Sequence, residues 1–145
     1  MKTNCRVSGI VFKDIKVAVV RHENKMHGTY YLLPGGGLEH DETIEECAVR
    51  EVKEETGLDV KATGLIYYED VVSSYDHTLH LIFKCEIIGG NLEVLDPDKK
   101  VKEILFVNKT ELNKLKFFPE KLKEKLFEEG DITTPISLGK TIYPK

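Results

Sequence analysis

Three glutamates lie close together in the sequence: Glu51, Glu54 and Glu55. Residues three and four positions apart share one face of an α-helix, so the three carboxylates would point the same way. Like charges at this spacing repel each other, and a bound cation would reverse that cost. Oxygen ligands suit hard divalent cations, Mg²⁺ above all, whereas zinc is disfavoured because the cluster holds no Cys or His at ligand spacing. The spacing therefore predicts a magnesium site on a helix.

The helix that would carry these glutamates has signals at both ends, and we predict it over residues 43–56. Thr43 and Glu46 have the spacing of a capping box at its start. Gly57 follows its last residue, where glycine readily adopts the left-handed conformation that ends many helices. The glutamates then fall toward the C-terminal end of this helix.

The alternative is a solvated helix on which the glutamates are incidental. On a helical wheel of about 100° per residue, however, Glu51 and Glu55 fall within about 20° of Ile44, inside the apolar sector. A solvated helix would turn these carboxylates away from the apolar side chains. Burying ionised carboxylates without partners is costly, and one arginine, Arg50, cannot neutralise three of them. We therefore expect a cation beside the cluster.

A run of three glycines, Gly35-Gly36-Gly37, precedes the helix. No regular element tolerates such a run well, so a flexible turn is one interpretation. Beside a metal-binding helix, a backbone without Cβ atoms would also let a phosphate or substrate approach closely. A Walker A loop is excluded because no Gly-Lys-Ser/Thr follows the glycines. We predict that the three glycines contact substrate.

Most of the other elements read as strands. Strands are predicted at residues 7–12, 15–20, 30–33, 60–72 (as one or two), 78–88 and 103–107, with a turn at 13–14 and a loop at 21–29. A second helix is predicted at Pro119–Glu129, and the residues from Asp131 onward show no periodicity. This order predicts an α+β fold, a mixed β-sheet with a helix on each face, as one domain over residues 1–145.

Composition limits the function classes. The chain has 145 residues, 41% hydrophobic and 32% charged, which is ordinary for a globular protein. Its net charge of −4 argues against a protein that binds duplex nucleic acid, although a bound cation would still allow a small anionic substrate. Neither a signal peptide nor an apolar stretch long enough to span a membrane is recognisable. The three cysteines have no disulfide or zinc-ribbon spacing, so we expect a cytoplasmic protein with reduced thiols.

The segment from residue 36 to residue 58 resembles the signature of the Nudix (MutT-like) hydrolases. That signature reads Gly, five residues, Glu, seven residues, Arg-Glu, an aliphatic residue, any residue, Glu-Glu, any residue, Gly and an aliphatic residue. All nine fixed positions are filled, over 23 residues. They are Gly36, Glu42, Arg50, Glu51, Val52, Glu54, Glu55, Gly57 and Leu58. The resemblance implies the family's α/β/α sandwich.

The resemblance also implies a function. Family members use Mg²⁺ or Mn²⁺ to hydrolyse a nucleoside diphosphate linked to another moiety, so a nucleotide is the expected substrate. By this resemblance Glu51, Glu54 and Glu55 would hold one to three ions, Arg50 would orient a glutamate, and Glu42 would support the start of the helix or the ligand shell. Glu51 is our first choice for the catalytic base. Later acidic residues are alternatives: Glu69, Asp70, Asp76, Asp98 and Glu103.

The substrate class is less well defined by the sequence. In the family, a Tyr about seventeen residues past the signature is associated with diadenosine polyphosphate hydrolases, and Tyr75 has that spacing from Leu58. The Pro that marks ADP-ribose hydrolases near this place is absent. Tyr75 could stack on a base or pack at a sheet edge. Dinucleoside polyphosphates, ADP-sugars and nucleoside triphosphates all stay open as substrates.

Two functions from different classes fit these residues. One is a metal-dependent pyrophosphohydrolase. The other is a binding module on the same fold that senses a nucleotide without cleaving it. The complete set of glutamates favours the enzyme, because a pure binder has no need of three converging carboxylates. Relatives are often dimers, so a homodimer is one assembly that the resemblance suggests.

Overall fold

The computed structural model describes residues 2–128 and 133–142, and within them β-strands predominate. The first two strands are β1 (Lys2–Lys13) and β2 (Lys16–Asn24), followed by β3 (Gly28–Leu32) and β4 (Gly35–Gly37). Helix α1 (Ile44–Thr56) leads into two long strands, β5 (Leu58–Val72) and β6 (Asp76–Gly90). The chain continues through β7 (Glu103–Val107), α2 (Lys109–Asn113), β8 (Phe117–Phe118), α3 (Leu122–Lys125) and β9 (Ile136–Ile142).

The strands form one mixed sheet that opens into two layers. Its order is β8-β3-β2-β1-β6-β5-β9, with β4 paired to β1 and β7 paired to β2. Strands β1 and β2 pair only beside their turn, at Phe12–Val17 and Lys13–Lys16. Farther along, β4 pairs with β1 at Arg6–Ser8 while β3 pairs with the far half of β2. The sheet therefore splits beyond this hairpin, and the space between its layers is available for side chains.

Alternation along β1 and β2 supplies two hydrophobic cores. Val7 and Val11 face a cluster that includes Cys47, Ala48 and Val52 of α1. Ile10 of β1 and Val17 and Val19 of β2 point to the other face and belong to a second cluster. That cluster also includes Leu112, Phe117 and Leu122. Because the two clusters lie on opposite faces, α1 covers one face of the sheet, and α2 and α3 cover the other. The predicted α+β sandwich is confirmed.

Helix α1 matches its sequence signals closely. The Thr43 side chain accepts a hydrogen bond from the Glu46 backbone N–H, and the Glu46 carboxylate accepts one from the Thr43 N–H, which completes the capping box. Gly57 ends the helix at φ 79°, in the left-handed region. Helix ends set by local hydrogen bonds are the part of this fold that a sequence specifies most directly.

Several predicted boundaries are wrong. The turn of the first hairpin is Asp14-Ile15, and β2 extends to Asn24 through residues that we predicted as loop. The triple glycine is not a flexible turn, since all three residues form β4 and pair with β1. An edge position makes this tolerable for glycine, because hydrogen bonds to a neighbouring strand hold the backbone without side-chain packing.

The C-terminal part departs most from the sequence prediction. The predicted helix Pro119–Glu129 is reduced to Leu122–Lys125, with Glu129 outside the described residues. Leu122 and Leu126 are both buried, so the helix completes its packing within about one turn. Farther on, Ile136–Ile142 forms β9 at the edge of the sheet, although its sequence shows no strand periodicity. No helix of the described residues is long and apolar enough to cross a membrane.

Candidate active site

Glu51, Glu54 and Glu55 stand on α1 as the helical spacing predicts, and two of them are buried. Glu51 is 8% exposed and Glu55 is 7% exposed, while the Glu54 side chain retains 30% of its accessible surface. These values exclude a helix whose acidic residues all face water. The apolar stripe of α1 passes into a pair of buried acids at its C-terminal end, as the helical wheel predicts.

Arg50 is the cation at the centre of this cluster. Its Nε and Nη2 atoms donate to the two Glu42 carboxylate oxygens at 2.9 and 2.7 Å, a bidentate pair. Its Nη1 donates to Glu51 at 2.7 Å and reaches both oxygens of Glu54 at 3.3 Å. Nη2 also donates to the Gly37 carbonyl at 3.1 Å. One guanidinium thus joins the glycine strand, Glu42, Glu51 and Glu54.

The glycines of β4 permit close contacts within the protein itself. The Gly35 N–H donates to Glu55 at 3.0 Å. A Cβ on Gly35 would lie 2.3 Å from Ser8 Oγ and 2.5 Å from the Val7 carbonyl oxygen. A Cβ on Gly36 would lie 2.5 Å from the Glu51 carboxyl carbon, whereas one on Gly37 would meet nothing within 4 Å. The first two glycines therefore make room for β1 and for Glu51, which sequence reasoning did not anticipate.

Burial and pairing shift the acids in opposite directions. The hydrogen bonds from Arg50 lower the pKa of Glu42 to about 2. Burial raises the pKa of Glu55 to about 8, even though Gly35 donates a hydrogen bond to it. Burial also raises the pKa of Glu51, against the attraction of Arg50. Glu42 is thus an ionised carboxylate with a full set of partners. Glu51 and Glu55 have too little positive charge around them to offset the cost of burying their ionised forms.

This donor set fits a hard divalent cation. Among the described residues, no three acidic, cysteine or histidine side chains converge closely enough to enclose a metal ion, and Arg50 Nη1 lies between Glu51 and Glu54. That contact uses only one nitrogen, and the bidentate pair with Glu42 uses the other two. The Nη1 contacts can therefore be released without breaking the pair. Two buried carboxylates and a third beside them are the oxygen ligands that Mg²⁺ and Mn²⁺ take.

A cavity of about 610 Å³ lies where the sheet splits into two layers. One wall is largely apolar and aromatic, with Tyr30, Leu32, Phe118 and Pro119. The other wall is polar and comes mainly from β1, β5, β6 and β9: Arg6, Glu69, Thr78, His80 and Thr141. Its size is in the range of pockets that hold small ligands, and its two-sided lining suits a molecule with a flat ring and polar groups. Sequence reasoning missed this cavity.

A buried hydrogen-bonded chain runs from the cavity wall to the glycine strand. His80 Nδ1 lies 2.9 Å from Glu69 Oε2, and His80 Nε2 lies 2.7 Å from Ser8 Oγ. Thr141 donates to the other Glu69 oxygen at 3.2 Å. Burial lowers the pKa of His80. Ser8 is the partner of Gly35 in the pairing of β1 with β4, so this chain supports the strand beside Glu55.

Tyr75 is the predicted site residue that the structure does not bring to this cluster. It lies in the turn between β5 and β6 and is 69% exposed, and it does not line the cavity. The other predicted residues meet around Arg50 and the glycine strand. Of the later acids considered as a base, Glu69 is buried within the hydrogen-bonded chain, while Asp70 pairs with His77 at 2.8 Å and Glu103 pairs with Arg21 at 3.2 Å.

Comparison with known proteins identifies the family. A family model described as the NUDIX domain matches residues 3–127. The chain is 39% identical over 121 residues to an ADP-ribose pyrophosphatase of Methanocaldococcus jannaschii, covering 80% of this chain and 68% of that protein. It is 34% identical over 83 residues to the NAD-capped RNA hydrolase NudC of Vibrio atlanticus, covering 57% of this chain and 30% of that protein.

Solved structures agree on the fold. A NUDIX hydrolase from Nitrosomonas europaea superposes with a TM-score of 0.74 over 86% of each chain, at 18% identity. An ADP-ribose pyrophosphatase from Streptococcus suis gives a TM-score of 0.66 over 95% of this chain and 98% of that one, also at 18% identity. The chain belongs to the Nudix family. The predictions of its family, its sandwich fold and its class as a Nudix hydrolase are confirmed.

The raised pKa of Glu55 predicts an inverse dependence of stability on pH when no metal is present. Between its ordinary value of 4.5 and about 8, the folded protein keeps a proton that the unfolded chain loses. Stability should therefore fall as pH rises through this window, by on the order of a few kcal/mol. Urea unfolding in EDTA from pH 5 to pH 8 measures this fall. Glu55→Gln can still accept the Gly35 hydrogen bond and should flatten the profile; an equally steep profile in that variant would contradict the assignment.

The glycine contacts predict unequal costs for alanine within one short strand. Gly35→Ala forces a Cβ against the backbone of β1, so we expect a loss of about 1–3 kcal/mol in the free energy of unfolding. Gly37→Ala is the matched control, because its Cβ enters open space, and its change should stay within about 0.5 kcal/mol. Urea unfolding of the two variants at one pH gives the comparison, and equal stabilities would refute the packing explanation.

Proposed function

We propose that this protein is a divalent-metal-dependent pyrophosphohydrolase that cleaves the diphosphate of a nucleoside diphosphate linked to another moiety, with ADP-ribose as the first substrate to test. The observation that carries the proposal is the buried pair Glu51 and Glu55 beside Glu54, with one guanidinium among them. A domain that only packed or bound a neutral ligand would gain nothing from acids held in such surroundings.

Similarity to known proteins supports ADP-ribose ahead of the other open substrates. The archaeal relative with 39% identity is named an ADP-ribose pyrophosphatase, and this chain covers slightly more than two thirds of its length. The sequence mark at Tyr75 points instead to dinucleoside polyphosphates. We give the relative more weight, because its similarity extends over 121 residues and the mark concerns one exposed residue outside the cavity. Contact of Tyr75 with substrate stays a prediction.

Glu51, Glu54 and Glu55 would hold the metal, Mg²⁺ or Mn²⁺. When bound there, such an ion neutralises phosphate charge and acidifies a water molecule. The chain's own residues position the carboxylates. Arg50 keeps Glu42 in a fixed bidentate pair and thereby fixes the start of α1 relative to Gly37. Gly36 leaves space for the Glu51 carboxylate against the backbone.

Glu51 is the base that we propose to take the proton from the attacking water. It is buried beside Gly36, whose missing side chain leaves room for its carboxylate at the glycine strand. The Gly35-Gly36-Gly37 strand borders the acids on one side, and we propose that its open side, at Gly37, is where substrate approaches the backbone. The cavity between the sheet layers would receive the nucleoside.

The alternative is a nucleotide-sensing module on the Nudix fold. A panel of ADP-ribose, other ADP-sugars, dinucleoside polyphosphates and nucleoside triphosphates, each with and without Mg²⁺, separates the two functions. Metal-dependent release of AMP or phosphate is expected from the enzyme, whereas binding without product formation favours the sensor. A cytoplasmic location, a homodimer, the absence of duplex nucleic-acid binding and a single domain over residues 1–145 stay predictions.

Replacing one signature glutamate should abolish most of the activity. Glu54→Gln keeps the shape of the side chain but removes a charged ligand, so we expect turnover to fall by at least about 10²-fold at saturating Mg²⁺. Stability should change much less, and it should rise slightly without metal because charge repulsion is relieved. Glu45→Gln is the matched control, an exposed glutamate in the first turn of the same helix. Near-wild-type turnover in Glu54→Gln would falsify the ligand assignment.

A further inference from the structure

Arg6 differs from the other arginines because it has no ion-pair partner among the residues that the structure describes. The sequence contains three arginines. Arg50 is held by Glu42 and Glu51, and Arg21 pairs with Glu23 and Glu103. No ion pair or side-chain hydrogen bond joins Arg6 to any residue that the structure describes. A half-buried guanidinium without an anion is unusual, because its five donors then depend on solvent alone.

Its place in the fold puts Arg6 between the cavity and the acidic cluster. Arg6 lines the cavity, and on β1 it is paired with Gly37 on one side and His80 on the other. The Gly37 carbonyl accepts a hydrogen bond from Arg50, so Arg6 lies one strand away from the Arg50 network.

A second polar group is unsatisfied in the same region. His22 is buried, and its Nε2 atom has no hydrogen-bond partner in the described structure. Its ring stacks on Tyr30, with centroids 5.4 Å apart, and the two residues are direct partners across β2 and β3. Partners across a strand pair share a face, so His22 packs beside Tyr30, a cavity residue, although His22 does not itself line the cavity. Burial and the charge of Arg6 lower the pKa of His22.

Two other charged residues of the cavity wall, Lys121 and Glu69, are already engaged in hydrogen bonds. Lys121 Nζ donates to the Leu138 carbonyl at 2.6 Å. The Glu69 carboxylate is satisfied by His80 and Thr141, so it is not available to Arg6. Arg6 therefore lines the cavity without an ion pair to any described residue, and a planar fork of N–H donors fits a phosphate group.

We propose that Arg6 is a substrate-binding residue that holds the phosphate attached to the nucleoside in the cavity. The proposal rests on the proposed function, since it places a nucleoside in the cavity and the diphosphate between Arg6 and the glutamates. Arg6, on β1, would thereby orient the diphosphate toward the metal-binding carboxylates.

The test compares the binding of AMP and adenosine, two ligands that differ by one phosphate, in EDTA so that neither metal nor hydrolysis intervenes. Isothermal titration calorimetry of the wild type should give at least about tenfold tighter binding of AMP. In Arg6→Gln that preference should fall close to one, with adenosine affinity unchanged. Arg6→Lys should retain part of it, because an ammonium group keeps the charge but not the fork.

Arg21→Gln is the matched control, because Arg21 is also half-buried but is already paired with Glu23 and Glu103. It should leave the preference for AMP unchanged. Thermal unfolding checks that each variant is folded. If Arg6→Gln does not fold, the AMP preference of Arg6→Lys is compared with that of the wild type instead. An unchanged preference in a folded Arg6 variant overturns the proposal, as does a wild type that binds AMP no better than adenosine.

Hydrolysis assays separate this proposal from the proposed function. A protein that hydrolyses none of the nucleotide panel, yet loses its AMP preference in Arg6→Gln, retains the phosphate site and refutes the enzyme. A protein that hydrolyses ADP-ribose with an Arg6-independent AMP preference retains the enzyme and refutes the role of Arg6. If the protein hydrolyses ADP-ribose and its AMP preference depends on Arg6, Arg6→Gln should raise KM for ADP-ribose by at least about tenfold.

Discussion

The structure of this site depends on an imbalance of charge: one guanidinium serves a cluster of buried or half-buried carboxylates. Arg50 satisfies Glu42 fully and reaches Glu51 and Glu54 with a single nitrogen, while Glu55 receives one backbone N–H. In a medium of low polarity, a carboxylate without adequate partners protonates or acquires a cation. The helix caps, the glycine strand and the sheet register all serve to keep these acids where they lie.

The glycine strand shows how a backbone can contribute to an acidic site without contributing a side chain. Gly35 donates to Glu55 and packs against Ser8, and Gly36 leaves space for Glu51. Behind them, the chain of Ser8, His80 and Glu69 fixes β1 and β6 to each other. Each contact is short and buried, so movement of the strand would disturb the acids. The interpretation of this segment as a flexible turn underestimated it.

Features of the site that depend on residues close together in the sequence could be predicted, whereas features that depend on distant residues could not. The caps of α1 and the shared face of its glutamates follow from spacings of three or four residues, and both are found. Features that join distant parts of the chain were missed. The hydrogen bond between Ser8 and His80 spans 72 positions, and the cavity combines residues from Arg6 to Thr141. No local pattern signals such pairs, because sheet register alone brings them together. Strand β4 and the shortened α3 were missed for the same reason: pairing and packing overrode local propensity.

We propose that a divalent cation binds beside Glu51, Glu54 and Glu55. The most direct measurement is the unfolding temperature at pH 8 as a function of Mg²⁺ concentration, with NaCl at matched ionic strength as the reference. A ligand that binds only the folded state stabilises it progressively as its concentration rises. We expect a rise in the unfolding temperature that continues through the millimolar range in wild type and is much reduced in Glu51→Gln. Superimposable curves with Mg²⁺ and with NaCl would contradict the account.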